Sequence, residues 1–389
     1  MLYYKDIIDL KIGLKMLKNS IVTETLSKYG TCLVIDTKAI EENFNIVKQK
    51  ASSSELSWVI KNNAYELKVE HILPIIKKVN CKHIFVATLL EGLDVKNFYN
   101  NKYDANIYIL NPILPNQEEE LFNNNLIPVV NTLSQVKAWN SFAKAKGKKL
   151  SVLLHIETGI NRLGLLREDV MYLYQHPEFL ENLDIQYIMS HFATASIKYI
   201  ETMEAQYNEF LELTKYLPKA KYSLAASDAL FIDKKYHFDL VRPAIVLYGA
   251  VIADFDEQLV KNVIYLYSTI QQVKTLNIGE KVGYGHLWEA IKPSKVAVLP
   301  LGYGDGIPRT LSKSSKVNIS GYMCPIVGCV SMDLITVDIT ELPENLQKEG
   351  EIVEIIGRNI SLEDFSISNN SLDCDVLNRL TTRYPRLYL

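Results

Sequence analysis

Trp58-Val59-Ile60, Ile84-Phe85-Val86-Ala87, Ile107-Tyr108-Ile109-Leu110 and Val129-Val130 are short β-branched or apolar runs separated by segments of helix length. Val152-Leu153-Leu154, Tyr187-Ile188-Met189, Tyr222-Ser223-Leu224-Ala225 and Ile245-Val246-Leu247 continue the series to residue 250. Eight strands therefore alternate with helical segments such as Lys68–Val79 and Ile200–Tyr216. That alternation predicts a parallel sheet with crossover helices. Eight units predict a closed (β/α)8 TIM-like barrel. An open doubly wound sheet is the alternative, but no Gly-rich dinucleotide fingerprint follows an early strand.

Beyond about residue 263 the pattern changes. Ile264–Ile270, Lys295–Leu299, Lys316–Ile319, Leu334–Asp338 and Ile352–Ile356 read as strands, broken by turns at Asn277-Ile278-Gly279 and Ser320-Gly321. Ser366–Ser371 reads as a surface loop. Upstream, Ile7, Leu10, Leu14, Leu17 and Ile21 recur at helical spacing between lysines, which predicts an amphipathic helix. The expected divisions are an N-terminal extension over residues 1–28, a barrel over 29–262 and a β-rich domain over 263–389.

Composition agrees with a globular protein of this size. The 389 residues are 48% hydrophobic and 22% charged, with a net charge of −3. No basic excess argues for nucleic acid, and no apolar run is long enough to span a bilayer. Five cysteines at spacings that match no zinc pattern read as free thiols in a reducing compartment. Acidic and lysine residues interrupt the N-terminus, so no secretory signal is read there and the cytoplasm is expected.

In a (β/α)8 barrel the chemistry gathers at the C-terminal ends of the strands. Lys61 follows the first run, His155 and Arg162 the fifth, His191 the sixth and Ser227 the seventh; Arg242 opens the eighth unit. Each alone reads as a solvated charge or a satisfied polar residue. Together they converge on one rim. Lys61 follows apolar residues, and a desolvated lysine becomes an amine nucleophile or base. A phosphate site after strands seven and eight is common in this fold. A lysine beside a phosphate cradle suggests pyridoxal 5'-phosphate held as a Schiff base, although phosphosugar enzymes share the phosphate site.

Seven separated motifs sharpen this reading. They are Val59-Ile60-Lys61-Asn62-Asn63-Ala64-Tyr65, Glu157-Thr158-Gly159-Ile160-Asn161-Arg162-Leu163-Gly164, Ser190-His191-Phe192-Ala193-Thr194-Ala195 and Val241-Arg242-Pro243-Ala244-Ile245-Val246-Leu247-Tyr248-Gly249. Val282-Gly283-Tyr284-Gly285, the run from Pro300 to Arg309 and the run from Pro325 to Asp333 complete the set. In this order they resemble the alanine racemases, which are pyridoxal-phosphate enzymes with a barrel followed by a β domain. The resemblance runs from about Thr31 to the C-terminus.

The resemblance implies a two-base racemase that interconverts L- and D-alanine and supplies D-alanine for peptidoglycan. It makes Lys61 the Schiff-base lysine and one acid/base group, with Tyr284 the opposing base, given by the partner subunit of a homodimer. It makes Tyr65, Ser227 and the backbone of Ile245 phosphate contacts. His191 packs near the cofactor ring and Arg242 faces its nitrogen. Arg162 lies near the cofactor hydroxyl and the substrate carboxylate, while Met332 and Tyr303 close the substrate site across the dimer interface. Other readings on the same fold are a lysine-linked lyase, decarboxylase or racemase for another amino acid, and a cofactor-binding protein without turnover.

Several positions depart from the pattern. His155 replaces a lysine, often carbamylated, that orients the arginine; a neutral imidazole is expected to accept a hydrogen bond from Arg162 instead. Glu66-Leu67-Lys68 replaces a Gly-rich turn. Ala226, Asp228, Ala244 and Thr382 also differ. Glu66 and Asp228 are expected to weaken the hold on a phosphate dianion, with Lys68 offsetting one of them.

Overall fold

The computed structural model describes residues 20–100, 102–250, 259–309 and 315–389. Its described residues form two compact units. Among them, residues 20–40, 248–250 and 260–389 make one, and residues 41–247 make the other. The first unit opens with the helix Ser20–Tyr29 and strand β1, Thr31–Ile35. Val22 and Leu26 bury the helix's apolar side, whereas Ile21 is exposed. The rest of the expected amphipathic run, Ile7 to Leu17, lies outside the described residues.

The second unit is the barrel. Its strands are β2 (Glu55–Val59), β3 (His83–Val86), β4 (Asn106–Ile109), β5 (Leu126–Val130), β6 (Leu150–His155), β7 (Leu183–Met189), β8 (Lys221–Ser223) and β9 (Leu240–Val241). Consecutive strands pair in parallel from β2 to β8, and β9 pairs with β2. A parallel bridge between Ala226 and Arg242 closes the circle between β8 and β9. Val59, Phe85, Tyr108, Val129, Leu153, Tyr187, Met189 and Leu240 fill the interior. It is therefore a packed core, as in other barrels of this kind.

The expected eighth strand is displaced. Leu240–Val241 is the strand, and Ile245–Tyr248 is a 3₁₀ turn. Pro243 explains the change: it lacks the N–H that would extend the ladder. The apolar run after it is still buried, so apolarity alone misled the reading. Arg242 thus follows the last strand and belongs to the C-terminal rim.

At the opposite mouth a polar network fills the barrel. Glu55 accepts from His83 Nε2 at 2.7 Å and from Lys221 at 2.5 Å. His83 Nδ1 lies 2.9 Å from the Tyr108 hydroxyl.

The first unit continues with β10 (Ile264–Thr269), β11 (Gln272–Leu276), β12 (Lys281–Val282), β13 (Trp288–Glu289), β14 (Ser294–Leu299), β15 (Lys316–Ile319), β16 (Tyr322–Val327), β17 (Ile335–Asp338), β18 (Ile352–Ile356) and β19 (Arg386–Tyr388). Nine strands form one sheet in the order β11-β14-β17-β16-β15-β18-β10-β1-β19. The β15–β16 hairpin turns at Ser320 and Gly321, both with positive φ, as a two-residue hairpin requires. Strand β1 pairs antiparallel with β10 and parallel with β19. Residues 31–35, expected at the head of the barrel, therefore lie in the β-rich sheet.

Ser366 belongs to the helix Leu362–Ser368 rather than to a loop. Ser361 and Asp364 form a capping box that starts this helix. All five cysteines are free. Among the described residues no helix is long and apolar enough to cross a membrane.

Candidate active site

On the barrel rim, Lys61 begins an unusual turn after β2. Asn62, Asn63, Ala64, Tyr65 and Glu66 all have φ between 51° and 61°, so the chain makes a left-handed turn. Such a backbone costs L-residues roughly 1–2 kcal/mol each, least for asparagine. Specific bonds hold it. Glu91 accepts Asn62 N–H at 2.6 Å, and its other oxygen accepts Ala87 N–H at 2.7 Å. Asn63 Oδ1 accepts Val69 N–H at 2.9 Å. Tyr65 is buried while Lys61 is exposed, its Nζ 6.0 Å from the Tyr65 ring centroid. The expected desolvation of Lys61 is thus not supplied by the packing of this chain. Glu66 pairs with Lys68 at 3.4 Å, so one of the two added acids does carry its own counterion.

Arg242 lies buried behind the rim. It donates to Ser223 Oγ and Ser190 O at 2.6 Å each, and to Leu224 O at 3.3 Å. Its Nη2 lies 3.4 Å from His191 Nδ1. Among the described residues no carboxylate pairs with it. Burial pushes its pKa down to about 10, which leaves it protonated at neutral pH. His191 is pushed down to about 3 by burial and then by Arg242, Arg162, His155 and Lys61. A neutral imidazole therefore sits against a guanidinium. Gln206 secures the loop, donating to His191 O and accepting Ala193 N–H.

Ser227 is buried, and its Oγ accepts Ala244 N–H at 2.9 Å. With a lone pair so engaged, its O–H is free to donate outward. Ile245 follows at the start of the 3₁₀ turn, where leading N–H groups lack intrahelical acceptors.

Arg162 is exposed, on a loop wound around a carboxylate. Glu157 accepts the N–H groups of Gly159 and Arg162. Burial would raise the Glu157 pKa, but the N–H groups of Gly159, Asn161, Arg162 and Ile160 outweigh it and hold it below the ordinary value. His155 does not meet Arg162 as expected. Its Nδ1 lies 2.7 Å from Asn131 Oδ1 instead.

The other expected residues lie in the β-rich unit. Tyr284 is 73% exposed, in a 3₁₀ turn flanked by Gly283 and Gly285, both with positive φ. A side chain on Gly283 would also press on Cys329 N at 3.2 Å. Tyr303 and Met332 come together: Tyr303 N donates to Ser331 O and Gly304 N to Met332 O at 2.9–3.0 Å. This contact demands Gly302, where a Cβ would lie 2.2 Å from Ser331 O. Arg383 braces the same loops, donating to Asp333 at 2.7 Å and lying 3.6 Å from Asp305. Thr382 is exposed. The supporting residues Glu91, Asn131, Gln206 and Ser223 were not anticipated. Only Glu91 had a local signal, the Thr88-x-x-Glu91 capping box.

Two family models match in tandem, the alanine racemase N-terminal domain over residues 35–251 and the alanine racemase C-terminal domain over residues 263–388. The chain belongs to the alanine racemase family. The alanine racemase of Rickettsia canadensis is 36% identical over 357 residues, covering 92% of this chain and 98% of that protein. The alanine racemase of Brucella canis is 34% identical over 373 residues, covering 92% and 94%. Among solved structures, the alanine racemase of Bartonella henselae with covalently bound pyridoxal phosphate superposes with a TM-score of 0.89. It shares 32% identity over 92% of this chain and 99% of that one.

Proposed function

We infer that this chain is a pyridoxal-phosphate-dependent alanine racemase, in which Lys61 and Tyr284 act as the two bases. The observation that carries the site assignment is the convergence of Lys61, His191, Arg242 and Ser227 on one barrel rim. The donor set suits the cofactor. Lys61 offers an exposed amine for a covalent bond. Ser227 O–H and Ile245 N–H suit a phosphate, and Tyr65 stands beside Lys61. Arg242, held only by neutral acceptors, keeps N–H bonds to direct at a ring nitrogen and has no proton to give up.

When bound, pyridoxal phosphate supplies an electron-withdrawing ring that acidifies the substrate's α-C–H. Arg242 would donate to the ring nitrogen without giving up a proton, so that nitrogen would stay unprotonated and the ring's electron withdrawal moderate. Racemisation needs a proton removed from one face of the α-carbon and another delivered to the opposite face, so two groups of different origin are natural. Lys61 Nζ serves one face and the Tyr284 hydroxyl the other. Arg162 binds the substrate carboxylate. In the homodimer proposed below, Tyr303 of the partner subunit and Met332 of the partner subunit limit the room for the side chain, which favours alanine.

We further propose a cytoplasmic homodimer in which Tyr284 of the partner subunit completes each site. Its motive is the exposure of Tyr284, Tyr303 and Met332 on the β-rich unit.

The test is incubation of purified protein with L-alanine, with and without added pyridoxal phosphate. D-alanine should accumulate until the enantiomers are equal, because they have the same free energy. Borohydride reduction of the loaded protein should then label Lys61 in a peptide map. Pyruvate or ethylamine in place of D-alanine, or a label confined to another lysine, would reject the assignment.

A further inference from the structure

Lys61 leaves the barrel rim between two tethered peptides. On its N-terminal side Ile60 N donates to Phe85 O at 2.9 Å, which continues the ladder between β2 and β3. On its C-terminal side Asn62 N donates to Glu91 Oε1 at 2.6 Å. Glu91 lies 29 residues beyond Asn62, in the helix Leu89–Tyr99 that follows β3. Its other oxygen, Oε2, accepts Ala87 N–H at 2.7 Å and Thr88 N–H at 3.1 Å. One carboxylate thus ties the peptide after Lys61 to the chain leaving β3, the strand that also holds the peptide before it.

Capping the helix does not account for both oxygens. Thr88 and Glu91 form a capping box, with Thr88 Oγ1 accepting Glu91 N–H at 3.2 Å. Such a box needs one side-chain acceptor at the third helical position, where glutamine serves as well as glutamate. A carboxylate offers two accepting oxygens and an amide only one. The remaining oxygen of Glu91 is directed outside its own helix, at the first peptide of a turn in which Asn62 to Glu66 all have positive φ. L-residues resist that backbone, so the turn depends on bonds of this kind. A lysine amine moves on a flexible four-carbon stem, and the root of the stem is what the backbone can fix. Misplacing a reacting group by about 1 Å can cost a hundredfold in rate.

We propose that Glu91 is a positioning residue for Lys61: its Oε1 holds the peptide that follows the lysine, its Oε2 anchors that hold to the chain leaving β3, and together they fix where the amine leaves the rim. The inference rests on the racemase reading, in which Lys61 bonds the cofactor and serves one face of the α-carbon. Glu91 acts through the backbone of the lysine's neighbour and moves no proton itself.

Two variants separate this role from capping. In Glu91→Gln the single amide oxygen should stay with the two donors Ala87 N–H and Thr88 N–H, so the cap survives and Asn62 N–H loses its acceptor. Thr88→Ala does the reverse, weakening the cap and leaving the Asn62 bond. Amide hydrogen exchange on the cofactor-free protein is the first readout. Asn62 should exchange about tenfold faster in Glu91→Gln, the loss of one hydrogen bond to a charged group, with the helix Leu89–Tyr99 unchanged. Borohydride labelling after addition of pyridoxal phosphate is the second. Label should appear on Lys61 roughly tenfold more slowly in Glu91→Gln and at the unmodified rate in Thr88→Ala. In the loaded Glu91→Gln protein, kcat for alanine should fall by a similar factor and KM should change less. The α-deuterium isotope effect should rise for one enantiomer and not for the other, because Lys61 serves one face only. Unchanged Asn62 exchange in Glu91→Gln, unchanged labelling despite faster exchange, or equal slowing of labelling in Thr88→Ala would each overturn the proposal. Absence of D-alanine formation by the unmodified protein, with Lys61 labelling still sensitive to Glu91→Gln, would reject the racemase reading and leave this one standing.

Discussion

His155 and His191 are both held neutral beside cations, with pKa values near 4 and 3 against an ordinary 6.5. The unfolded chain takes up protons on these rings below about pH 6.5, and the folded chain does not. Stability contributed by keeping them neutral is therefore complete above that pH and is lost as the pH falls toward 4. The loss is on the order of a few kcal/mol. Urea unfolding from pH 7 to 4.5 should show it, and His155→Phe should flatten the slope; a free energy constant over that range would contradict the assignment. At this scale the sequence was only partly legible. His83 stands beside an apolar run just as His155 does, yet it is satisfied by Glu55 and Tyr108 at the other mouth of the barrel. The strand end on which a histidine lies separates the two cases, and what each ring nitrogen meets depends on distant chain.

The turn that carries Lys61 is a local element maintained against its own backbone preference. Asn62 and Asn63 tolerate positive φ, but Glu66 and Lys68 gain nothing from it, and Lys68 has φ 68° and ψ 106°. Glycine adopts such angles without strain. Lys68→Gly should therefore stabilise the protein by about 1 kcal/mol, after the loss of a weak, partly exposed ion pair to Glu66. Calorimetry should register a Tm rise of about 1–2 °C, and a fall would show that the Glu66–Lys68 pair matters more than the strain. Seven of the barrel strands were legible from β-branched runs and the eighth was not. A buried 3₁₀ turn and a buried strand are equally apolar over four residues, and only Pro243 distinguished them. The helix Leu362–Ser368 had a readable start in Ser361 and Asp364, overlooked because the serines after it suggested a loop.

For the whole molecule, the proposed homodimer makes a sharp prediction. If each site combines Lys61 of one subunit with Tyr284 of the other, inactive Lys61→Ala and Tyr284→Phe proteins should complement on mixing. A hybrid dimer then has one intact site, so random exchange should restore about a quarter of the full activity. Confirmed exchange with no recovered activity would rule out shared sites. The sequence by itself determined the order of the architecture, a barrel followed by a β-rich unit, because burial on a strand or helix face is written into residue spacing. It also determined which residues crowd the barrel rim, because strand ends are adjacent to strands in the chain. The tertiary structure alone decided the rest. Strand β1 joins β10 and β19, from the far end of the chain, rather than the barrel that follows it. Arg242 finds its acceptors on Ser190, Ser223 and Leu224. His155 Nδ1 meets Asn131, 24 residues away. Hydrogen-bond partners and desolvation come from whatever the fold brings alongside, and no spacing within one segment encodes them.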